Sequence, residues 1–220
     1  MGFGWMLLGW LFMFPVIGTV DVMPDFIGFM IMLVGLSCAY KYCRCFDLTR
    51  RLAMFGVLFS LVSFAYQLLC KTGAIEPSVV GTVIRVSYAA FLCAYAVNLA
   101  ISISKIATET ELPKIRVRGA AAVPLAIIML FGGRIAWSGA VSAISSAGEG
   151  ETISDTLRWT MRIGYIAEVL FVAYMLALLL SCYRWICLEG EEDMPDKVHK
   201  LPTPFDIIEK KKNKDKEEKK

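Results

Sequence analysis

The sequence predicts an all-α, polytopic membrane bundle of six transmembrane helices with both termini in the cytoplasm. Of the 220 residues 57% are hydrophobic and the mean hydropathy is +0.59, whereas an ordinary soluble domain is about 45–50% apolar. The apolar residues gather in runs of roughly 20 without alternation, which favours membrane helices over a barrel. Basic residues are concentrated in alternate loops, which is typical of a multipass topology.

The apolar runs place the six helices in order along the chain. Pro24 suits the first turn of the second helix, where its missing N–H is not needed, and Asp25 favours the positive end of that helix. Pro15 is expected to kink the outer half of the first helix. The predicted helices are about 3–20, 24–40, 52–70, 79–103, 119–140 and 162–187.

Loop charge orients these helices. Loops 41–51 and 104–118 are basic, so the positive-inside rule places them in the cytoplasm. Loops 71–78 and 141–161 then face outward, as does the turn at 21–25. We therefore expect a multipass protein of the cell (cytoplasmic) membrane, in contact with the lipid bilayer.

The composition divides the chain into two parts. Residues 1–188 form the predicted six-helix domain, and 189–220 form a cytoplasmic tail with nine Lys against ten Asp or Glu. A run so dense in charge cannot bury enough apolar area to fold, so we expect it to be disordered. Because no basic face stands apart from the membrane pattern, we expect no nucleic-acid partner.

Charged residues inside the membrane mark the candidate site, because they are costly there. Arg85, Arg134 and Glu168 all fall in the outer half of their predicted helices. The turn residues Asp21 and Asp25 lie at the same level. Glu168 has no opposite charge three or four residues away on its own helix, so its partner must come from another helix, with Arg85 or Arg134 the natural candidates.

The fourth helix adds a polar stripe. Tyr88, Tyr95 and Asn98 fall within a narrow arc of the helical wheel close to Arg85. One interpretation of the whole set is an outward-facing polar pocket for a small solute, with arginines that suit a carboxylate or phosphate. The other is a structural ion-pair network that holds the helices together.

The sequence gives little indication of a catalytic residue, a cofactor or a metal site. The only histidine, His199, lies in the tail, and membrane serines such as Ser63 lack an evident base. Cys43 and Cys45 could bind a soft metal with a third thiol, but Cys also serves as a small apolar residue in helices. We expect no catalytic residue, no cofactor and no metal site.

Small residues at helical spacing predict close helix packing. Gly132, Ala136 and Ala140 form one such stripe on the fifth helix, and Ala173 and Ala177 form another on the sixth. Packing within one chain is the simpler interpretation of both stripes.

The sequence of the first hairpin resembles that of a known group of proteins. Its sequence from Asp21 through Pro24-Asp-Phe-Ile-Gly28 to the Gly-Leu at 35–36 resembles that of a group of small uncharacterised bacterial multipass membrane proteins. The match covers mainly residues 18–51. It implies a bacterial cytoplasmic membrane, and it transfers no activity and no catalytic residue. The six-helix size also resembles the substrate-binding subunits of energy-coupling-factor transporters, by size and helix count alone.

Two functions follow from the sequence. The first is binding or transport of a small solute, of the anionic kind that arginines would bind, through the outward-facing pocket. The alternative is a non-catalytic accessory or scaffold membrane protein that acts through protein partners, with the tail as one contact surface. An intramembrane enzyme is the weakest option, because the sequence presents no nucleophile with a base.

Overall fold

The computed structural model describes residues 2–13, 25–72, 79–146 and 155–187, and these are helical with no strand among them. A 3₁₀ turn, Arg44–Phe46, leads into α3. A π-helical segment, Ala126–Phe131, joins α5 to α6, and a second one, Tyr183–Cys187, extends α7. The helices are α1 (Phe3–Phe12), α2 (Asp25–Tyr40), α3 (Asp47–Lys71), α4 (Val79–Glu109), α5 (Pro113–Leu125), α6 (Gly132–Ser146) and α7 (Asp155–Cys182).

The predicted all-α class is confirmed, and the described helices form six rods because α5, the π segment and α6 are continuous. Four rods are long and apolar enough to cross a membrane: Arg44–Cys70, Val80–Glu109, Pro113–Trp137 and Asp155–Ile186. The apolar helices α1 and α2 are shorter, with 10 and 16 residues. Residues 14–20 of the predicted first helix lie outside the described residues.

The predicted loop boundaries were wrong where charged residues continue a helix. Most of the predicted loop 104–118 belongs to α4 and α5, and α3 and α7 begin earlier than expected, at Asp47 and Asp155. Lys, Arg and Glu form helices well, so the helices continue past their apolar segments. The α4–α5 turn is short because Glu111 has a φ of 55° and Pro113 starts the next helix.

The rods pack around α4. The most hydrophobic segment of α4 is 56% buried, against 22% for α3, which lies at the edge of the bundle. Helix α1 contacts both α2 and α7, so the first hairpin packs against the last helix. Phe55 and Leu58 on α3 are each 63% exposed. Such side chains suit an acyl-chain environment, because lipid tails are as apolar as leucine.

Glycines bring α1 and α2 into backbone contact. A Cβ on Gly9 would lie 2.8 Å from the Gly28 carbonyl oxygen, and one on Gly35 would lie 2.7 Å from the Gly2 carbonyl oxygen. Gly2, the N-cap of α1, and Gly9 are seven residues apart, as are Gly28 and Gly35 of α2, so each pair lies on one face. The first hairpin is therefore a tightly packed pair, although its small-residue pattern was not predicted.

Candidate functional site

Four polar residues from four helices meet inside the bundle. They are Asp25 at the start of α2, Tyr88 on α4, Arg134 on α6 and Glu168 on α7. We call these four residues the polar cluster. All four are among the residues that the sequence singled out, and the structure brings them together.

The centre of the polar cluster is an ion pair. Arg134 Nε donates a hydrogen bond to Glu168 Oε1 at 2.5 Å. The Arg134 side chain is 19% exposed and that of Glu168 is 6% exposed. A carboxylate this buried is strongly destabilised unless a charge partner and hydrogen bonds replace its water. Of the two arginines proposed as partners for Glu168, Arg134 makes the pair.

Tyr88 connects this ion pair to the first hairpin. Its hydroxyl donates to Asp25 Oδ2 at 2.6 Å. The guanidinium carbon of Arg134 lies 5.5 Å from the centre of the Tyr88 ring, within the range of a cation–π contact. The Asp25 carboxylate also interacts electrostatically with Arg134. The polar cluster therefore links α2, α4, α6 and α7.

A glycine contact between α6 and α7 positions the ion pair. A Cβ on Gly133 would lie 2.8 Å from the Gly164 carbonyl oxygen, and one on Gly164 would lie 2.7 Å from the Gly133 carbonyl oxygen. Arg134 is the next residue on α6, and Glu168 lies about one helical turn after Gly164. Backbone contact at this point thus brings the two charged side chains within reach.

The predicted small-residue stripes are only partly right. Gly133, rather than the predicted Gly132, makes the close contact, and Ala136 and Ala140 lie on the packed side of α6. Ala173 and Ala177 are exposed, so the predicted stripe on the last helix is wrong. Larger side chains, Phe171 and Met175 among them, form the buried face of α7.

Arg85 does not join the polar cluster. Its side chain is partly exposed, and its Nε donates to the Gly81 carbonyl oxygen of its own helix at 3.3 Å. Asp21, the other acid of the predicted site, lies outside the described residues. The described part of the site therefore contains one arginine where the sequence suggested two.

The polar stripe of α4 separates into three environments. Tyr88 joins the polar cluster, whereas Tyr95 is fully buried between Trp10 and Phe29, with ring centroids 6.4 and 5.2 Å away. The Tyr95 hydroxyl has no hydrogen-bond partner among the described residues. Asn98 donates to the Ala94 carbonyl oxygen of its own helix at 2.8 Å. Helical periodicity identified the face but could not distinguish these roles.

A second polar contact, absent from the predicted site, connects the start of α3 with α4. Buried Thr49 and Ser102 share a hydroxyl hydrogen bond of 3.0 Å, and Ser102 Oγ donates to the Cys45 carbonyl oxygen at 2.9 Å. Ser102 lies on the polar face of α4 that the sequence indicated. Thr49 lay in a predicted loop, where no periodicity could mark it as buried.

The cysteines fall into two groups: one pair differs from both interpretations offered by the sequence, and a buried cysteine agrees with the small apolar role. Cys43 and Cys45 form a disulfide in the structure, and Cys182 is buried in the core. Among the described residues, no group of three or more His, Cys, Asp or Glu side chains is arranged to hold a metal ion.

The charge balance of the polar cluster limits its chemistry. It holds two carboxylates and one guanidinium, and the guanidinium is already paired with Glu168. An incoming anion would approach the negative charges of both Glu168 and Asp25, so the polar cluster does not favour anions. Its geometry is suited to holding helices together or to attracting a cation. Comparison of the chain with models of protein families, with curated proteins and with solved structures finds no match.

Proposed function

We propose that this chain is a six-span integral protein of a bacterial cytoplasmic membrane, with both termini in the cytoplasm. The four membrane-length rods and the two shorter apolar helices support six spans. The basic side chains at the α2–α3 and α4–α5 turns support the orientation. At about 24 Å, α2 is shorter than a hydrocarbon core of about 30 Å, so local thinning of the bilayer belongs to this proposal.

Within that frame, we propose a non-catalytic accessory or scaffold protein, with the polar cluster as a structural element. The observation that carries this proposal is the pairing inside the cluster: Arg134 binds Glu168, and Tyr88 binds Asp25. Together with the contact between Arg134 and the Tyr88 ring, these bonds connect α2, α4, α6 and α7. The positive charge of Arg134 is balanced by Glu168 and also faces Asp25, so the cluster has no excess positive charge for an anionic ligand.

Thermal unfolding of the purified protein in detergent tests the structural role. Phosphate and acetate serve as anion probes, and sodium and tetramethylammonium serve as cation probes. The proposal predicts that no probe raises the unfolding midpoint of the wild type, and that Glu168→Gln lowers it. A probe that stabilises the wild type and not Glu168→Gln would show a ligand site instead.

A solute with a cationic group is the second candidate function. The excess of carboxylates over guanidinium in the polar cluster favours it over the anionic solute expected from the sequence. It predicts that tetramethylammonium raises the unfolding midpoint of the wild type and that Asp25→Asn abolishes this effect. Stabilisation by acetate or phosphate would contradict it.

We propose that residues 189–220 carry contacts to a protein partner. These residues lie outside the described structure, and their charge density suits a solvated interaction segment. Affinity purification from native membranes, with the full chain and with 189–220 deleted, tests this. The proposal predicts that one partner copurifies in constant ratio with the full chain and that this partner is lost when 189–220 is deleted. The same partner on both chains would contradict a role for the tail.

A further inference from the structure

A groove lies between α4 and α5, near the turn that joins them. Its volume is about 440 Å³. Basic and hydroxyl side chains surround the end nearest the turn, and apolar side chains surround the other end. The groove is lined by Ile101, Ser104, Lys105 and Thr108 of α4 and by Arg116, Ala120, Val123 and Pro124 of α5.

The basic end of the groove has two cations without an ion-pair partner in the described structure. The described ion pairs are Asp47 with Arg50 and Arg51, and Arg134 with Glu168. Lys105 and Arg116 belong to none of these ion pairs, and both side chains are exposed. Positive charge is therefore available at this end of the groove.

Contacts between α4 and α5 bring the backbone segments that carry these two cations together. Ser104 Oγ donates to the Arg116 carbonyl oxygen at 3.4 Å. A Cβ on Gly119 would lie 3.2 Å from the Ala100 carbonyl oxygen, so the backbones approach closely there. The backbone at Arg116 therefore lies beside the turn of α4 that carries Lys105.

The other end of the groove is apolar and lies deeper along both rods. Pro124 is eight residues beyond Arg116, about 12 Å along α5, and Ile101 is four residues before Lys105, about 6 Å along α4. Ile101 is 39% exposed and Val123 is partly buried. The groove therefore changes from cationic near the α4–α5 turn to apolar further along both rods.

We propose that this groove binds an anionic phospholipid. The lipid phosphate lies between Lys105 and Arg116, and the start of one acyl chain lies along Ile101, Val123 and Pro124. A guanidinium and an ammonium both bind phosphate, the former with a planar fork of donors. Basic pockets between transmembrane helices recognise such headgroups. The apolar wall is the reason for choosing a phospholipid over a free anion, because only the lipid covers both ends of the groove.

Lipid-dependent stability of the full chain tests the proposal. Unfolding midpoints are measured in micelles containing either phosphatidylglycerol or phosphatidylcholine. For each variant, the lipid effect is the difference between its midpoints in the two lipids. We expect phosphatidylglycerol to raise the midpoint of the wild type. Lys105→Gln/Arg116→Gln should bind it roughly 30-fold more weakly, since each basic residue near an anionic lipid contributes about 1 kcal/mol and about 1.4 kcal/mol is tenfold.

A matched control removes the same charge elsewhere. Lys41→Gln/Lys114→Gln changes two exposed basic residues that do not line the groove, and it should keep the wild-type lipid effect. Ala120→Phe keeps both cations but fills the apolar end, so it should weaken phosphatidylglycerol binding. Equal losses in the two charge variants would overturn the proposal, as would full stabilisation by inorganic phosphate alone or an unchanged lipid effect in Ala120→Phe.

Discussion

At the scale of single residues, the ion pair between Arg134 and Glu168 is the most consequential contact. The Glu168 side chain is 6% exposed, so its charge depends on its partners and not on water. Removing one partner leaves the other charge uncompensated within the bundle. Removing both replaces the pair with apolar packing, which is often neutral or stabilising.

A double-mutant cycle follows from this reasoning. We predict that Arg134→Leu and Glu168→Leu each destabilise the protein by about 3–5 kcal/mol, while the double variant lies much closer to the wild type. Reversible unfolding in mixed micelles measures the coupling. Arg158→Leu, which removes an exposed charge on α7, is the control and should change stability by less than about 0.5 kcal/mol. Additive single effects would contradict a direct pair.

The sequence predicted which kinds of charged residue form the candidate site, but not which of them pair with each other. Charges at similar depth on different helices indicated that Glu168 needs a partner from another helix, but Arg85 and Arg134 satisfied that pattern equally. The choice depends on which helix backbone approaches α7, and the contact of Gly133 with Gly164 decides it. A helical wheel cannot show that contact, because it describes one helix at a time.

At the scale of helices, glycines set the closest packing of the bundle. Gly133 and Gly164 bring α6 and α7 together, and Gly9 and Gly28 do the same for α1 and α2. The sequence identified the small residues of α6, but the predicted contact residue, Gly132, is one position away from the observed one. It assigned Ala173 and Ala177 to an interface, although both are exposed. Small residues permit close packing on any face, so their spacing alone does not identify the neighbour.

The glycine contact predicts that a glycine-to-alanine substitution changes stability differently at two positions of α6. Gly133→Ala should destabilise the protein by about 1–3 kcal/mol, because the new Cβ would press on the Gly164 carbonyl oxygen. Gly139→Ala on the same helix is the matched control, since a Cβ there meets no atom within 4 Å. It should be neutral or stabilising by up to about 1 kcal/mol. Unfolding midpoints measure both, and equal effects would contradict the packing account.

The lengths of the helices could be predicted only for their apolar parts. Hydropathy located α2 almost to the residue, at 24–40 against Asp25–Tyr40. It placed the end of the fourth helix at 103, whereas α4 continues to Glu109. The difference has a physical cause. Hydropathy detects only the apolar run, whereas intrahelical hydrogen bonds continue through the charged residues Lys105 and Glu109.

At the scale of the whole molecule, the first hairpin and the last two rods hold the two ends of the membrane domain together. Helix α1 packs on α7, and Asp25 of α2 bonds to Tyr88, whose ring also contacts Arg134. A bundle connected in this way places Asp25, Tyr88, Arg134 and Glu168 at one depth. Our account requires that this depth lies in the outer half of six membrane spans.

Site-directed cysteine labelling in intact cells tests that central claim most directly. In a cysteine-free background, the account predicts that Met23→Cys, Ala74→Cys and Thr152→Cys react with a membrane-impermeant maleimide from outside. Tyr42→Cys and Thr110→Cys, whose wild-type side chains are exposed, should react only after permeabilisation. Labelling of position 42 or 110 in intact cells, or protection of position 23, would contradict six spans with both termini in the cytoplasm.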